Sequence, residues 1–293
     1  MFESLKAKII FPRLMKRPDI NKAYAMVGPE DSWYDTITKV HDSLAEIKKL
    51  THEILEIKSH DGYALKGIYY PCENARATMI YIHGYTSHAE REGAFPGLFY
   101  RSLGCNVLIP YQRAHGLSEG KQITLGALEC FDMIAWVKKI SGISPDQSII
   151  IHGLSMGGGI SLLLSDKEMP NVKCLISDAP TESVESFFIN VSRDVCKKNY
   201  EKMYQHGLEQ FKRQTGVDAL DFNCIETTKN SRYPILLSAG SLENLEDRLK
   251  QVKENNPCDT EIVILEGCNH GNGMYKQTKI YQDAIKNFVE KYI

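Results

Sequence analysis

Ser148-Ile149-Ile150-Ile151-His152-Gly153-Leu154-Ser155-Met156-Gly157-Gly158-Gly159 is the stretch whose reading decides the fold. Three consecutive β-branched residues mark a strand buried on both faces, as in a parallel sheet. Gly153 to Gly157 is an instance of the G-x-S-x-G nucleophile elbow, and the apolar run 160–164 after it has helical character. Strand, tight turn and helix are the setting that this motif requires. Such a turn strains the backbone of Ser155 and pushes its hydroxyl out at the carboxyl end of the strand. Side chains at 153 and 157 would collide with the neighbouring strand and the helix start, so glycine fits both places. The Met156 amide, at the amino end of the new helix, can donate to an oxyanion. The five residues alone would not exclude a glycine-rich turn with an idle serine. The strand before them and the helix after them argue against it.

Outward from this stretch, strands and helices alternate. Segments 54–58 and 64–70, joined by Asp61-Gly62, form an expected antiparallel hairpin. Strands are expected at 78–82, 106–110, 172–177, 234–239 and 262–265, and helices near 89–103, 125–140 and 275–293. This alternation predicts an α/β fold, a mainly parallel sheet with helices on both faces. At 293 residues, one such domain with an insertion is the economical arrangement. Its core is 53–180 and 233–293, and residues 1–52 form a helical extension packed on that core. Within the extension, Trp33, Ile37, Val40, Leu44 and Ile47 share one helical stripe. The basic, proline-interrupted first twenty residues either pack on the body or act as a lid or peripheral membrane contact.

Residues 181–232 carry no convincing strand but two helical stripes, one through Val184, Phe187, Phe188, Val191 and Val195, the other through Tyr200, Met203, Tyr204, Leu208 and Phe211. Placed beyond the strand that follows the elbow, this insertion would lie above the edge where Ser155 points. It is expected to be a cap, with Phe187 and Phe188 as apolar walls of a substrate pocket. Its eight basic and eight acidic residues give no clue to substrate charge.

The formal net charge is −2, with both signs spread along the chain, which speaks against a nucleic-acid surface. The eight cysteines form no C-x-x-C pair and no metal-ligand rhythm, and several sit inside apolar runs. Without a secretory segment or an apolar run able to span a bilayer, a soluble cytoplasmic protein with reduced thiols is expected.

The chain resembles the α/β-hydrolase superfamily, in particular bacterial serine hydrolases of the esterase and lipase type. Four motifs over 53–293 carry the resemblance: His83-Gly84-Tyr85-Thr86, the loop from Gln112-Arg113-Ala114-His115-Gly116 to Ser118-Glu119-Gly120, the elbow, and the His270 segment. Relatives often have aspartate where this chain has Tyr111, and many begin with a membrane anchor.

Serine is a poor nucleophile until a neutral histidine takes its proton, and a carboxylate holds that histidine in the right tautomer. The resemblance implies the order Ser, acid, His. It puts the base at His270, in Gly267-Cys268-Asn269-His270-Gly271 after the last strand. His83, His115 and His152 belong to strand-end, loop and elbow motifs, and His41, His52, His60, His88 and His206 are read as surface residues. The usual G-x-x-D after the preceding strand aligns here with Glu243, so the acid is Glu243, with Asp178 as the alternative and Asp247 or Glu246 behind it. The second oxyanion donor is the backbone amide of Tyr85, beside that of Met156. The implied activity is cleavage of carboxylic esters through an acyl-enzyme, on a small-molecule acyl substrate, with no metal or organic cofactor. A peptidase or aminopeptidase, an acyltransferase and a non-catalytic binding protein of the same fold remain the other readings. For an aminopeptidase, Glu182 or Glu185 would have to meet the substrate's amino group.

Overall fold

The computed structural model describes residues 2–19 and 33–293. Its helices are α1 (Phe2–Leu14), α2 (Ile37–Ile47), α3 (Ala89–Ser102), α4 (Glu129–Ile143), α5 (Met156–Leu163), α6 (Val184–Cys196), α7 (Tyr200–Thr215), α8 (Cys224–Thr227), α9 (Glu246–Asn255), α10 (Gly273–Lys276) and α11 (Thr278–Val289). The strands are β1 (Glu53–Lys58), β2 (Ala64–Tyr70), β3 (Ala77–Ile82), β4 (Cys105–Pro110), β5 (Ser148–Leu154), β6 (Val172–Asp178), β7 (Ile235–Gly240) and β8 (Thr260–Leu265).

They form one eight-stranded sheet in the order β1-β2-β4-β3-β5-β6-β7-β8. Strand β2 runs antiparallel to both β1 and β4, and the other pairs are parallel. The central strands are apolar on both sides because helices cover both faces. Ile80, Ile82, Ile149 and Ile151 meet α4 and α5, whereas Met79, Tyr81 and Ile150 share a core with α2, α3 and α11. The expected α/β architecture is therefore present, with the elbow on the fifth strand near the centre of the sheet.

Sequence periodicity does not announce α9, whose exposed face is charged and which buries only Leu249 and Val252. The extension divides between two surfaces. Helix α2 packs on α3, and α1 packs on α7 of the insertion. There the Phe11 and Phe188 ring centroids are 4.8 Å apart. A methyl at Gly207 would come within 2.5 Å of the Phe11 ring, so glycine lets the two helices close. Arg17 then donates to the carbonyls of Ser118, at 2.7 Å, and Gly116.

Candidate active site

Ser155 has φ 59° and ψ −115°, a conformation that non-glycine residues rarely hold. Its amide donates to Asp178 O at 2.8 Å, and its carbonyl accepts from Gly159, at 2.9 Å, and Thr181, at 3.3 Å. These bonds fix the turn from both sides. A Cβ at Gly157 would stand 1.9 Å from Ile82 O, and one at Gly153 2.0 Å from Gly157 O. No side chain fits either place. The glycines let the elbow sit against the end of β3, which brings Gly84 alongside Ser155: a Cβ on that glycine would stand 3.4 Å from Ser155 Cβ.

His270 follows β8, and its Nε2 lies 2.8 Å from Ser155 Oγ. Its Nδ1 lies 2.5 Å from Glu243 Oε2, while Oε1 of that carboxylate accepts the Gly240 amide at 2.7 Å. The short 3-10 turn Ser241–Glu243 after β7 makes this possible by curling the glutamate back over the strand end. The hydrogen bond to Glu243 raises the pKa of His270 from its usual 6.5, against the opposing effect of burial.

Asp178 is turned elsewhere. Its Oδ2 accepts the Tyr281 hydroxyl at 2.9 Å, and that hydroxyl lies 3.0 Å from His152 Nε2. Burial pushes the Asp178 carboxyl up to about 7 and drives the His152 imidazole down to about 3. Glu246 and Asp247 lie in the first turn of α9, where each pairs loosely with Lys250.

His83 and His115 are buried with ring centroids 4.6 Å apart, and burial holds both imidazoles below their usual pKa. Arg113, in the same loop, makes a two-point bond to Asp132 (2.7 and 2.8 Å) and another to Asp61 (2.9 and 3.2 Å). His60, Asp61 and Asp132 bring possible metal-ligand atoms within 4.8 Å of one another. Arg113 already occupies both carboxylates, so the cluster is an ion-pair network, buried at Asp132 and exposed at Asp61, that holds the loop. Tyr111, which stands where relatives often have aspartate, donates to Glu90 of α3 and packs against Gly116, joining loop and helix.

Two expectations change. His88 is buried, and its Nδ1 accepts the Arg91 amide at 3.3 Å as the cap of α3. The helix needs an acceptor at that end, which brings the ring inward. Phe188 is fully buried between Phe11 and Phe211, within the core. Phe187 is half-buried, with its ring 5.7 Å from that of Tyr85. Adjacent residues on a helix diverge by about 100°, and the arrival of α1 decides which one faces inward.

A cavity of about 600 Å³ opens beside His270, bounded also by Trp33, Thr181, Glu243, Arg248 and Asn269. Arg248 donates to Pro180 O at 2.9 Å and to Glu182 at 3.1 Å, and Glu185 accepts from the Tyr204 hydroxyl. Sequence reasoning missed Glu92, a half-buried α3 carboxylate beside Gly84. Two glutamates in a first helical turn look like ordinary partners of the helix dipole, so nothing in the sequence distinguishes it.

The family model described as serine aminopeptidase, S33, matches residues 73–218. YqkD of Bacillus subtilis, itself uncharacterized, is 32% identical over 124 residues, 42% of this chain and 40% of that protein, so the chain matches about two-fifths of its length. The Pyrococcus furiosus esterase Pf2001 superposes with a TM-score of 0.67 at 22% identity, over 95% of this chain and 98% of the other. Est1E of Butyrivibrio proteoclasticus, solved with ferulic acid, gives 0.64 at 19% identity, over 81% and 98%. The chain belongs to the α/β-hydrolase superfamily.

Proposed function

We propose that this hydrolase-fold protein is a serine carboxylesterase. The observation that carries the reading is the Ser155–His270–Glu243 chain of contacts, 2.8 and 2.5 Å, built on a strained elbow. Ser155 Oγ attacks the ester carbonyl while His270 Nε2 takes its proton. Glu243 keeps the other ring nitrogen protonated and stabilises the imidazolium as it forms. The amides of Tyr85 and Met156 receive the developing oxyanion; Met156 is the first residue of α5, where helix amides lack intrahelical acceptors. His270 then returns the proton to the leaving alcohol, and water, activated by the same base, cleaves the acyl-enzyme.

Ester chemistry is favoured over an aminopeptidase by the state of the acidic side chains near the insertion. Glu182 is paired with Arg248, and Glu185 is engaged by Tyr204, so neither is ready to receive a free amino group. We read 181–232 as a cap and 1–52 as an extension split between cap and core. All eight cysteines are free, and no helix among the described residues is long and apolar enough to cross a membrane. Both features are compatible with a reducing compartment such as the cytoplasm.

Hydrolysis of p-nitrophenyl esters of graded chain length, run beside aminoacyl anilides, tests the reading. Esters should turn over and anilides should not. Preference for anilides would make it a peptidase. Acyl transfer to added alcohols in preference to water would make it an acyltransferase. Inertness toward every substrate would favour a binding role.

A further inference from the structure

The peptide between His83 and Gly84 is held at both of its polar ends. Its carbonyl accepts Gln112 Nε2 at 2.6 Å, and its N–H donates to Glu92 Oε1 at 2.9 Å. The next peptide, Gly84–Tyr85, is held by its carbonyl, which lies 2.9 Å from His83 Nδ1 and accepts the Ser87 amide at 3.3 Å. In a trans peptide N–H and C=O point in opposite directions. Fixing the Gly84 carbonyl on this side therefore aims the Tyr85 N–H toward the other. Glycine at 84 has no side chain to resist rotation about its own backbone bonds, so the orientation of the Tyr85 amide depends on these anchors.

Glu92 is the anchor supplied by a different element. It lies in the first turn of α3, and its carboxyl also accepts the Tyr81 hydroxyl at 3.2 Å. A Cβ built on Gly84 would stand 3.4 Å from Glu92 Oε2 and 3.4 Å from Ser155 Cβ, so carboxyl and nucleophile flank the same glycine. We infer that Glu92 is a positioning residue: by clamping the Gly84 N–H it fixes one side of this flexible glycine, and together with the anchors on the Gly84 carbonyl it sets the aim of the Tyr85 amide at the substrate's carbonyl oxygen. The inference rests on the proposed oxyanion role of Tyr85. Burial raises the pKa of Glu92, against the lowering effect of its hydrogen bonds, the one to the Gly84 amide among them. Clamping requires an acceptor oxygen and no charge.

Glu92→Gln and Glu92→Ala separate the clamp from a merely structural role. The amide oxygen of glutamine can still accept from Gly84 and Tyr81, whereas alanine cannot. With a p-nitrophenyl ester, Glu92→Ala should lower kcat about 10–100-fold at nearly unchanged KM, somewhat less than the ~10²–10³ lost when an oxyanion donor is removed outright. Affinity for a boronic acid that mimics the tetrahedral intermediate should fall by a similar factor. Glu92→Gln should stay within about threefold of wild type on both measures. An unchanged kcat in Glu92→Ala overturns the inference, as does a glutamine variant as impaired as the alanine one. If Glu92→Ala fails to fold, Glu92→Asp, one methylene too short to reach, must show the same kcat loss, and full activity there is equally fatal. Absence of fluorophosphonate labelling of wild-type Ser155 would defeat the proposed catalytic reading instead. In that event amide exchange still tests the clamp: Gly84 N–H must exchange faster in the alanine or aspartate variant than in wild type or Glu92→Gln, and equal rates refute it.

Discussion

Glu243 Oε2 meets His270 Nδ1 at 2.5 Å, although this glutamate is one methylene longer than the aspartate that the family resemblance leads one to expect at that place. The 3-10 turn Ser241–Glu243 and the bond from the Gly240 amide to the other oxygen absorb the extra length. Glu243→Gln should lower kcat by about 10⁴-fold with little change in KM, because an amide favours the wrong imidazole tautomer. Retention of more than about a tenth of the wild-type kcat would remove Glu243 from the mechanism.

Asp178→Asn should leave the kinetics nearly untouched and alter the pH dependence of stability. The folded carboxyl titrates at about 7, above its ordinary 3.8. Its stabilising contribution is complete below the lower value and is lost as pH rises through the higher one. Denaturation curves at pH 5 and 8 should show the wild type losing stability relative to Asp178→Asn across that interval. A kcat loss as large as that of Glu243→Gln would return Asp178 to the role of acid.

The pH profile follows from His270. Its pKa is raised chiefly by the hydrogen bond to Glu243, and only the neutral ring can accept the proton of Ser155. The acid limb of kcat/KM should therefore have its midpoint above 6.5. In Glu243→Gln the residual activity should show that limb moved to lower pH. A limb that stays in place would mean that another group controls it.

Ser155→Ala should remain folded, lose about 10⁴-fold or more in kcat, and resist a fluorophosphonate probe that labels the wild type. Labelling of the variant at comparable rate would place the nucleophile elsewhere.

Neighbouring phenylalanines should behave differently. Phe188→Ala removes a ring enclosed by Phe11 and Phe211 and should cost about 3–5 kcal/mol of stability. Phe187→Ala, beside Tyr85, should stay folded and reduce activity on long acyl esters more than on acetyl esters. Equal losses at every chain length would rule out a selective wall at Phe187.

The parts readable in the sequence are those in which local chemistry and tertiary position coincide. The strand, Gly153, Ser155 and Gly157 lie within ten residues, and their steric demands are met there. The placement of Glu243 came through resemblance, by its offset after a strand. Glu92 was illegible because its role depends on an antiparallel reach from a helix start to a strand end, which no spacing encodes. Phe187 and Phe188 could not be told apart for a similar reason: α1, from the far end of the chain, chooses between them. Helix α9 escaped because two buried residues in ten make too faint a period.

The Tyr85 phenol donates to Leu14 O at the end of α1, and its ring leans on Phe187 of α6. Whatever tugs the amino end of the chain thus pulls on the residue whose amide is assigned to the oxyanion. An affinity handle belongs after Ile293, behind α11, which packs on the opposite face of the sheet. The same fusion ahead of residue 1 should slow turnover in proportion to the load it puts on α1, so two otherwise identical preparations could differ in rate through nothing but where they were tethered.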